Sequence, residues 1–516
     1  MRGITEQKEY GDYQTPLNFS DQICHYLKNE KGITPHVVLE PTCGIGNFLY
    51  SATKYFDSKK YIGIDINAEY ITRARERFSD NRVELINDDL FICNLQEIVP
   101  TFTTNDTVLI LGNPPWVNNS TLSAINSENQ PAKTNFKGMK GLDAITGSSN
   151  FDICEYIILQ LINAFKGTNA IIAMLCKTIV ARNILQELKR TNTPFAEMAT
   201  FVFDAKKIFN VSADSCLLFL KLSAKKEQKD FCEVYNFEAP QERVSTFGYK
   251  NEKFYSTLSN KVESLDGVCC FEWRQGIKHD CSKIMELVMH DDHYMNGHGE
   301  IVEIEDAFVY PLVKSSDIKK CYITDAKRRV IVTQKRVREE TLCIKQIAPL
   351  TWDYLDRNKA AFQRRKSSIY KGAPEYSIFG VGNYSFSNYK VGISGFYKIP
   401  FFSMLHNSKP IMMDDTCYFL SFNSFDDAYT AMLILNSQEI QSFLQAIAFV
   451  DSKRPYTKKV LERIDFEKCV SLLSFQQLFN VERAISSKQI FTTQMYKNFK
   501  KLVCAEMSEQ QKIVFA

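Results

Sequence analysis

Two apolar runs, each ending in a stiff polar turn, set what this chain can fold into. Val108-Leu109-Ile110-Leu111-Gly112 leads into Asn113-Pro114-Pro115-Trp116. About seventy residues upstream, Val37-Val38-Leu39 leads into Glu40-Pro41-Thr42-Cys43-Gly44-Ile45-Gly46. Short runs without polar alternation read as strands buried on both faces, and such strands belong to parallel sheets covered by helices. Two strand-end turns at this spacing place two sites on one carboxyl edge, where open α/β sheets hold their ligands.

The flanking sequence extends the pattern. Further strands are expected at 61–65, 83–86, 170–175, 199–203 and 216–220, with helical stretches between them such as 68–78 and 151–165. Strands alternating with helices predict a doubly wound, Rossmann-like α/β domain. It is expected to span residues 1–240. Beyond about 245 the alternation is lost, and 241–516 reads as a mixed α+β domain. A chain of 516 residues exceeds one ordinary core, which agrees with two domains. Residues 117–150 are rich in Asn, Ser, Gly, Lys and Thr and read as a long loop directly after the Asn-Pro-Pro-Trp turn. Loops of that length inside a compact domain are often functional.

The first turn carries glycines but no following Lys-Ser or Lys-Thr, so it is not a phosphate-binding P-loop. Glu40 at its strand end repels phosphate and suits a cationic amino-acid moiety. An unliganded tight turn uses the same glycines, so the motif alone leaves both readings open. Asp65 ends the second strand about twenty residues later, with Ile66 beside it. Its carboxylate can accept from two ribose hydroxyls, or it is a solvated strand end. Asp89, followed by Leu90 and Phe91, can accept from an adenine amino group with the apolar side chains against the ring, or it caps a helix.

The Asn113 carboxamide oxygen and the Pro114 carbonyl can together accept both protons of one amino group. Proline donates nothing, so the turn is an acceptor surface. Drawing on both protons favours a pyramidal nitrogen whose lone pair is free to attack a sulfonium methyl. No strong base is required, because the proton can leave after transfer. Trp116 offers a face for stacking a base. Phe209, in Lys206-Lys207-Ile208-Phe209-Asn210, is a second stacking face or a core aromatic. A base inside a duplex reaches such a site only by being flipped out.

In motif order these positions resemble the gamma class of DNA adenine-N6 methyltransferases of type II restriction–modification systems. Gly11-Asp12-Tyr13-Gln14-Thr15-Pro16 matches the N-terminal motif, followed by the Glu40 turn, Asp65, Asp89-Leu90 and Asn113-Pro114-Pro115-Trp116. The resemblance is dense over residues 10–220. It implies a class I methyltransferase domain using S-adenosylmethionine, followed by a target-recognition domain acting on double-stranded DNA. Tyr13 and Thr15 would lie near the methionine end, with Glu40, Thr42 and Gly44 lining that moiety. Asp65 would hold the ribose, and Asp89 the adenine amino group. Phe151, in Asn150-Phe151-Asp152, would lie near the adenine, and Phe209 would stack on the flipped base. Stretches 274–280, 377–384 and 451–457 resemble the recognition domains of such enzymes. A separate cognate restriction endonuclease is the partner that the family's habit implies.

The net charge is only +3, so DNA affinity must come from uneven distribution. Residues 314–371 carry 16 Lys or Arg against 6 Asp or Glu, a block suited to phosphate contacts or to a solvated face. Fifteen cysteines without a Cys-x-x-Cys pair read as reduced thiols, and the polar first twenty residues lack a leader's apolar core. With no apolar run near the ~20 residues of a membrane span, a cytoplasmic location is expected. His290-Asp291-Asp292-His293 fits no zinc spacing, and no metal is expected. Two other readings remain. One is methylation of a protein glutamine amide or an RNA guanine amine, chemistry that shares the Asn-Pro-Pro turn. The other is a non-catalytic DNA-binding specificity subunit.

Overall fold

In the computed structural model the chain forms two compact units, Met1–Leu258 and Ser259–Ala516. The structure describes residues 14–95, 107–117, 152–225, 229–258, 263–450 and 452–514. The boundary expected at 240/241 falls inside a strand, Ala239–Lys250, so the sheet of the first unit runs further than the alternation pattern suggests.

The first unit is built on one sheet of ten strands. These are β1 (Val37–Glu40), β2 (Lys60–Asp65), β3 (Val83–Asn87), β4 (Val108–Gly112), β5 (Ile171–Lys177), β6 (Phe195–Asp204), β7 (Asp214–Leu222), β8 (Phe231–Asn236), β9 (Ala239–Lys250) and β10 (Lys253–Tyr255). Their spatial order is β10-β9-β8-β6-β7-β5-β4-β1-β2-β3. Strands β3, β2, β1, β4 and β5 are mutually parallel, with Val37 opposite both Lys60 and Val108, and Leu109 opposite Ile171. Strand β7 inserts antiparallel between β5 and β6. The connection 205–213 explains this departure from an all-parallel sheet. It is shorter than the roughly dozen residues that a parallel crossover needs.

The central strands are apolar because helices cover both faces. Leu109, Ile110 and Leu111 of β4 have no exposed surface, and truncating such a residue to Ala costs roughly 2–5 kcal/mol. Helices α1 (Leu17–Asn29), α2 (Asn47–Tyr55), α3 (Ala68–Arg75), α4 (Ile153–Phe165), α5 (Thr178–Arg190) and the short α6 (Ala205–Phe209) flank the sheet. Their starts are written in the sequence. The Asn67 side chain accepts from Glu69 N and Tyr70 N, and Asp204 accepts from Lys206 N and Lys207 N. The strand order reverses at β1, which has β2 on one side and β4 on the other. Glu40, Asp65, Asn87 and Gly112 therefore end four neighbouring strands at one carboxyl edge.

The second unit is mixed α+β, as expected. One sheet has five strands, including Tyr389–Ser394, Phe402–His406 and Cys417–Phe422; the other has six, including Glu286–His290, Val309–Val313 and Arg328–Ile331. Helices follow from Phe425 to the carboxyl end, the longest being Thr493–Val514. His290 and His293 face each other across a hairpin whose Asp291 and Asp292 have φ of 45° and 64°. That is the left-handed pair a two-residue hairpin turn requires. No helix among the described residues is long and apolar enough to cross a membrane.

Candidate active site

At the reversal point lies an open cavity. Thr15, Glu40, Thr42, Gly44, Asp65, Ile66, Asp89, Leu90 and Asn113 all line it. Residues quoted or passed over in the sequence, namely Gln14, Asn47, Tyr70, Asp88 and Ile153, line it as well. Tyr13 and Phe151 lie outside the described residues. Four carboxylates, Glu40, Asp65, Asp88 and Asp89, face the cavity, and no Lys or Arg stands among its described lining residues. A site of that charge repels polyphosphates and accepts a cation.

Gly44 (φ 52°) and Gly46 (φ 77°) turn the chain from β1 into α2 in the left-handed region, where glycine is favoured. A Cβ on Gly44 would lie 2.6 Å from the Gln14 side chain. Asp65 holds this turn, accepting from Gly44 N at 2.7 Å through Oδ2 and from Asn67 N at 2.8 Å through Oδ1. Arg77 braces the turn from behind, donating to the Ile45 carbonyl at 3.0 Å and to Asn47 Oδ1 at 2.7 Å. Asp89 Oδ1 accepts from Phe91 N at 2.9 Å, so it closes its own turn while lining the cavity.

Glu40 is 3% exposed and accepts from Leu49 N at 3.0 Å. Burial pushes its carboxyl well above the usual range; the Leu49 hydrogen bond opposes this and the nearby Asp65 adds to it. The hydroxyls of Thr15 and Thr42 are buried at the cavity and have no hydrogen-bond partner among the described residues. Buried polar groups are rarely left so unless a ligand or water completes them.

Asn113 and Pro115 line the cavity, and Pro114 does not. The Asn113 carboxamide oxygen is shielded from solvent. Trp116 is 7% exposed and packs edge-to-face on Phe209, with centroids 5.6 Å apart and planes at 67°. The sequence alone offers these rings as opposite faces for a base. Here they touch each other, whereas a base between parallel faces needs about 7 Å, two ring contacts of ~3.5 Å. Phe209 also packs against Phe19 and Phe203, so it belongs to the core and to the site's edge at once.

Residues 3–265 match the N-6 DNA methylase family. The chain is also 38% identical over 469 residues to the type II methyltransferase M.NspV of a Nostoc species, covering 89% of this chain and 96% of that protein. This chain belongs to the N-6 DNA methylases of type II restriction–modification systems. The methylase also matches the type II methyltransferase M.BanIII of Aneurinibacillus aneurinilyticus, at 29% identity over 26% of this chain and 27% of that one. Its fold is shared with the solved type IIL restriction-modification enzyme MmeI in complex with DNA, at TM-score 0.51 and 11% identity, over 95% of this chain and 72% of that chain. A methylase needs a methyl donor, and this cavity fits S-adenosylmethionine. Its lining is acidic, and two buried hydroxyls there lack partners among the described residues.

In the second unit, the stretches that resemble recognition domains meet at one place. Lys278 and Phe379 exchange main-chain hydrogen bonds of 2.8 and 2.9 Å. Gln275 Nε2 donates to the Asp415 carbonyl at 2.6 Å and Arg454 Nη1 donates to it at 3.0 Å. Sequence reading missed Asp415, because nothing nearby in the chain announces it. The basic block is partly consumed internally. Arg328 pairs with Asp317, Arg329 with Asp325, Lys314 with Glu286 and Lys359 with Glu375. Arg365 stacks 3.7 Å over Tyr370 and donates to the Ser377 carbonyl. Lys335, Arg336, Arg338, Lys366 and Lys371 are exposed and form no ion pair among the described residues.

Proposed function

We propose that this chain transfers the methyl group of S-adenosylmethionine to the N6 amino group of an adenine flipped out of duplex DNA at a specific site. One observation carries this reading: Asn113, with its amide oxygen sheltered, lines the same cavity as Glu40, Asp65 and Asp89. The acceptor of an amino group and the charged walls for a sulfonium cofactor thus share one space.

S-adenosylmethionine, when bound, supplies an electrophilic methyl carbon. Glu40 and Thr42 hold its amino-acid end, Asp65 its ribose hydroxyls, and Asp89 its adenine amino group, with Leu90 and Ile66 against the ring. The Asn113 amide oxygen and the Pro114 carbonyl accept the two protons of the target amine and free its lone pair. The proton then leaves to solvent once the nitrogen carries the methyl. For a base to stack here, Phe209 moves off Trp116 and the two rings take opposite faces of it. Lys335, Arg336, Arg338, Lys366 and Lys371 contact phosphates, and the junction around Lys278, Asp415 and Arg454 faces the bases. The second unit is then the recognition domain. The modification protects the site from a separate cognate endonuclease in the cytoplasm, where the DNA lies.

The test is transfer of a labelled methyl group to duplex DNA, RNA and protein in parallel, with the modified base mapped. Label at adenine N6 in DNA is expected. Label confined to RNA or protein refutes the reading.

A further inference from the structure

Pro114 and Pro115 have no N–H, so donors from other elements help to set the register of the turn. Among the described residues one reaches the turn itself at Trp116, and a second reaches Val117 just after it. Lys177, the last residue of β5, donates through Nζ to the Trp116 carbonyl at 3.5 Å and to Asp152 Oδ2 at 2.7 Å. Ile153 N, in the first turn of α4, donates to the Val117 carbonyl at 3.0 Å.

Asp152 serves both contacts. Its Oδ1 accepts from Cys154 N at 3.0 Å and so starts α4, while its Oδ2 orients the lysine. One ion pair therefore ties the tip of β4 to the end of β5 and the start of α4. It is sheltered, with the Lys177 side chain 25% and the Asp152 side chain 10% exposed. Ile153 also lines the cofactor cavity, so the same pair fixes the cavity wall relative to the amine-accepting turn.

We infer that Lys177, oriented by Asp152, is a positioning residue for methyl transfer, holding the Asn113–Trp116 turn at its working distance from the cofactor cavity. The inference rests on Asn113 as the amine acceptor. It assigns no contact with substrate to Lys177 itself.

The test separates positioning from mere stability. Lys177→Met alone leaves Asp152 without its partner and is expected to lower both melting temperature and rate. Asp152→Asn combined with Lys177→Met removes both charges, and the amide can still accept from Cys154 N; such paired removals are often neutral for stability. Single-turnover methyl transfer to DNA is measured beside cofactor affinity by calorimetry. The double variant is expected to melt like the parent and to bind cofactor within about threefold, yet to transfer roughly 100-fold more slowly, the cost of an ångström of misplacement. Lys177→Arg, which keeps donors for both oxygens, recovers much of the rate. A double variant with normal stability and normal rate overturns the positioning role alone. A parent protein that methylates no DNA overturns the underlying reading with it.

Discussion

Glu40→Gln isolates the charge from the shape of the cofactor site. The carboxamide that replaces the carboxylate can still accept the Leu49 hydrogen bond, so the turn keeps its geometry. What is lost is a buried negative charge next to a cationic ligand. A hydrogen bond to a charged group contributes about 1.5–3 kcal/mol, so cofactor binding should weaken roughly 10- to 150-fold. The pH dependence has a definite sign. In the free protein, burial holds the Glu40 carboxyl well above its usual range. The ligand ammonium favours the carboxylate, so binding below that raised value must expel a proton. Log Kd then worsens by up to about one per pH unit as pH falls through this window, and is flat above it. Stability of the free protein moves the other way. A carboxyl raised by folding contributes fully below its unfolded value and loses that contribution as pH rises through its folded value. Free Glu40→Gln should therefore be at least as stable as the parent at neutral pH, while binding worse. Calorimetry in buffers of different ionisation enthalpy counts the protons released. If Glu40→Gln binds cofactor as tightly as the parent, or releases the same protons, the assignment of Glu40 is wrong.

Three further perturbations address other parts of the account. Phe209→Ala should leave cofactor affinity near normal and lower transfer, with loss of about 1–3 kcal/mol of base stacking visible as weaker DNA binding; unchanged DNA binding would reject the stacking role. Replacing Lys335, Arg336 and Arg338 together by Gln should reduce the salt slope of DNA binding by about 2.7, near 0.9 per phosphate contact, without altering which site is methylated. Lys390 is buried on the strand Tyr389–Ser394, where its ammonium donates to the Ser387 and Ile411 carbonyls and burial lowers its pKa to about 7. Between pH 7 and its unfolded value near 10.4 the unfolded chain holds a proton that the fold does not. Denaturant stability should thus rise by up to about 1.4 kcal/mol per pH unit across that window, and Lys390→Met should abolish the rise.

What the sequence disclosed follows from which forces are local. Strand β1 is found as expected because it is wholly apolar up to Glu40 and stopped by Pro41. Strands β8 and β9 stand toward the sheet edge, β8 mostly half-buried and β9 with an exposed first half, and carry no buried-strand signal. Past the second unit's sheets, Ser437 caps a new helix, so the chain there forms two, Phe425–Leu435 and Gln438–Ile447. The acidic strand ends were legible because parallel topology alone brings them to one edge. The Trp116–Phe209 contact was not, since two aromatics 93 residues apart reveal nothing of their mutual angle. Nor was the Lys177–Asp152 pair, in which each residue reads by itself as an ordinary strand end or helix cap.

The account stands on Asn113 as the acceptor of the target amine. Its most direct test is the single-turnover rate of methyl transfer to cognate duplex by Asn113→Ala, under saturating cofactor. Loss of a preorganised hydrogen-bonding group at a reacting centre lowers a rate by about 10²–10³-fold, and that fall is predicted here with cofactor affinity unchanged. A variant that methylates DNA at the parent's rate would contradict it.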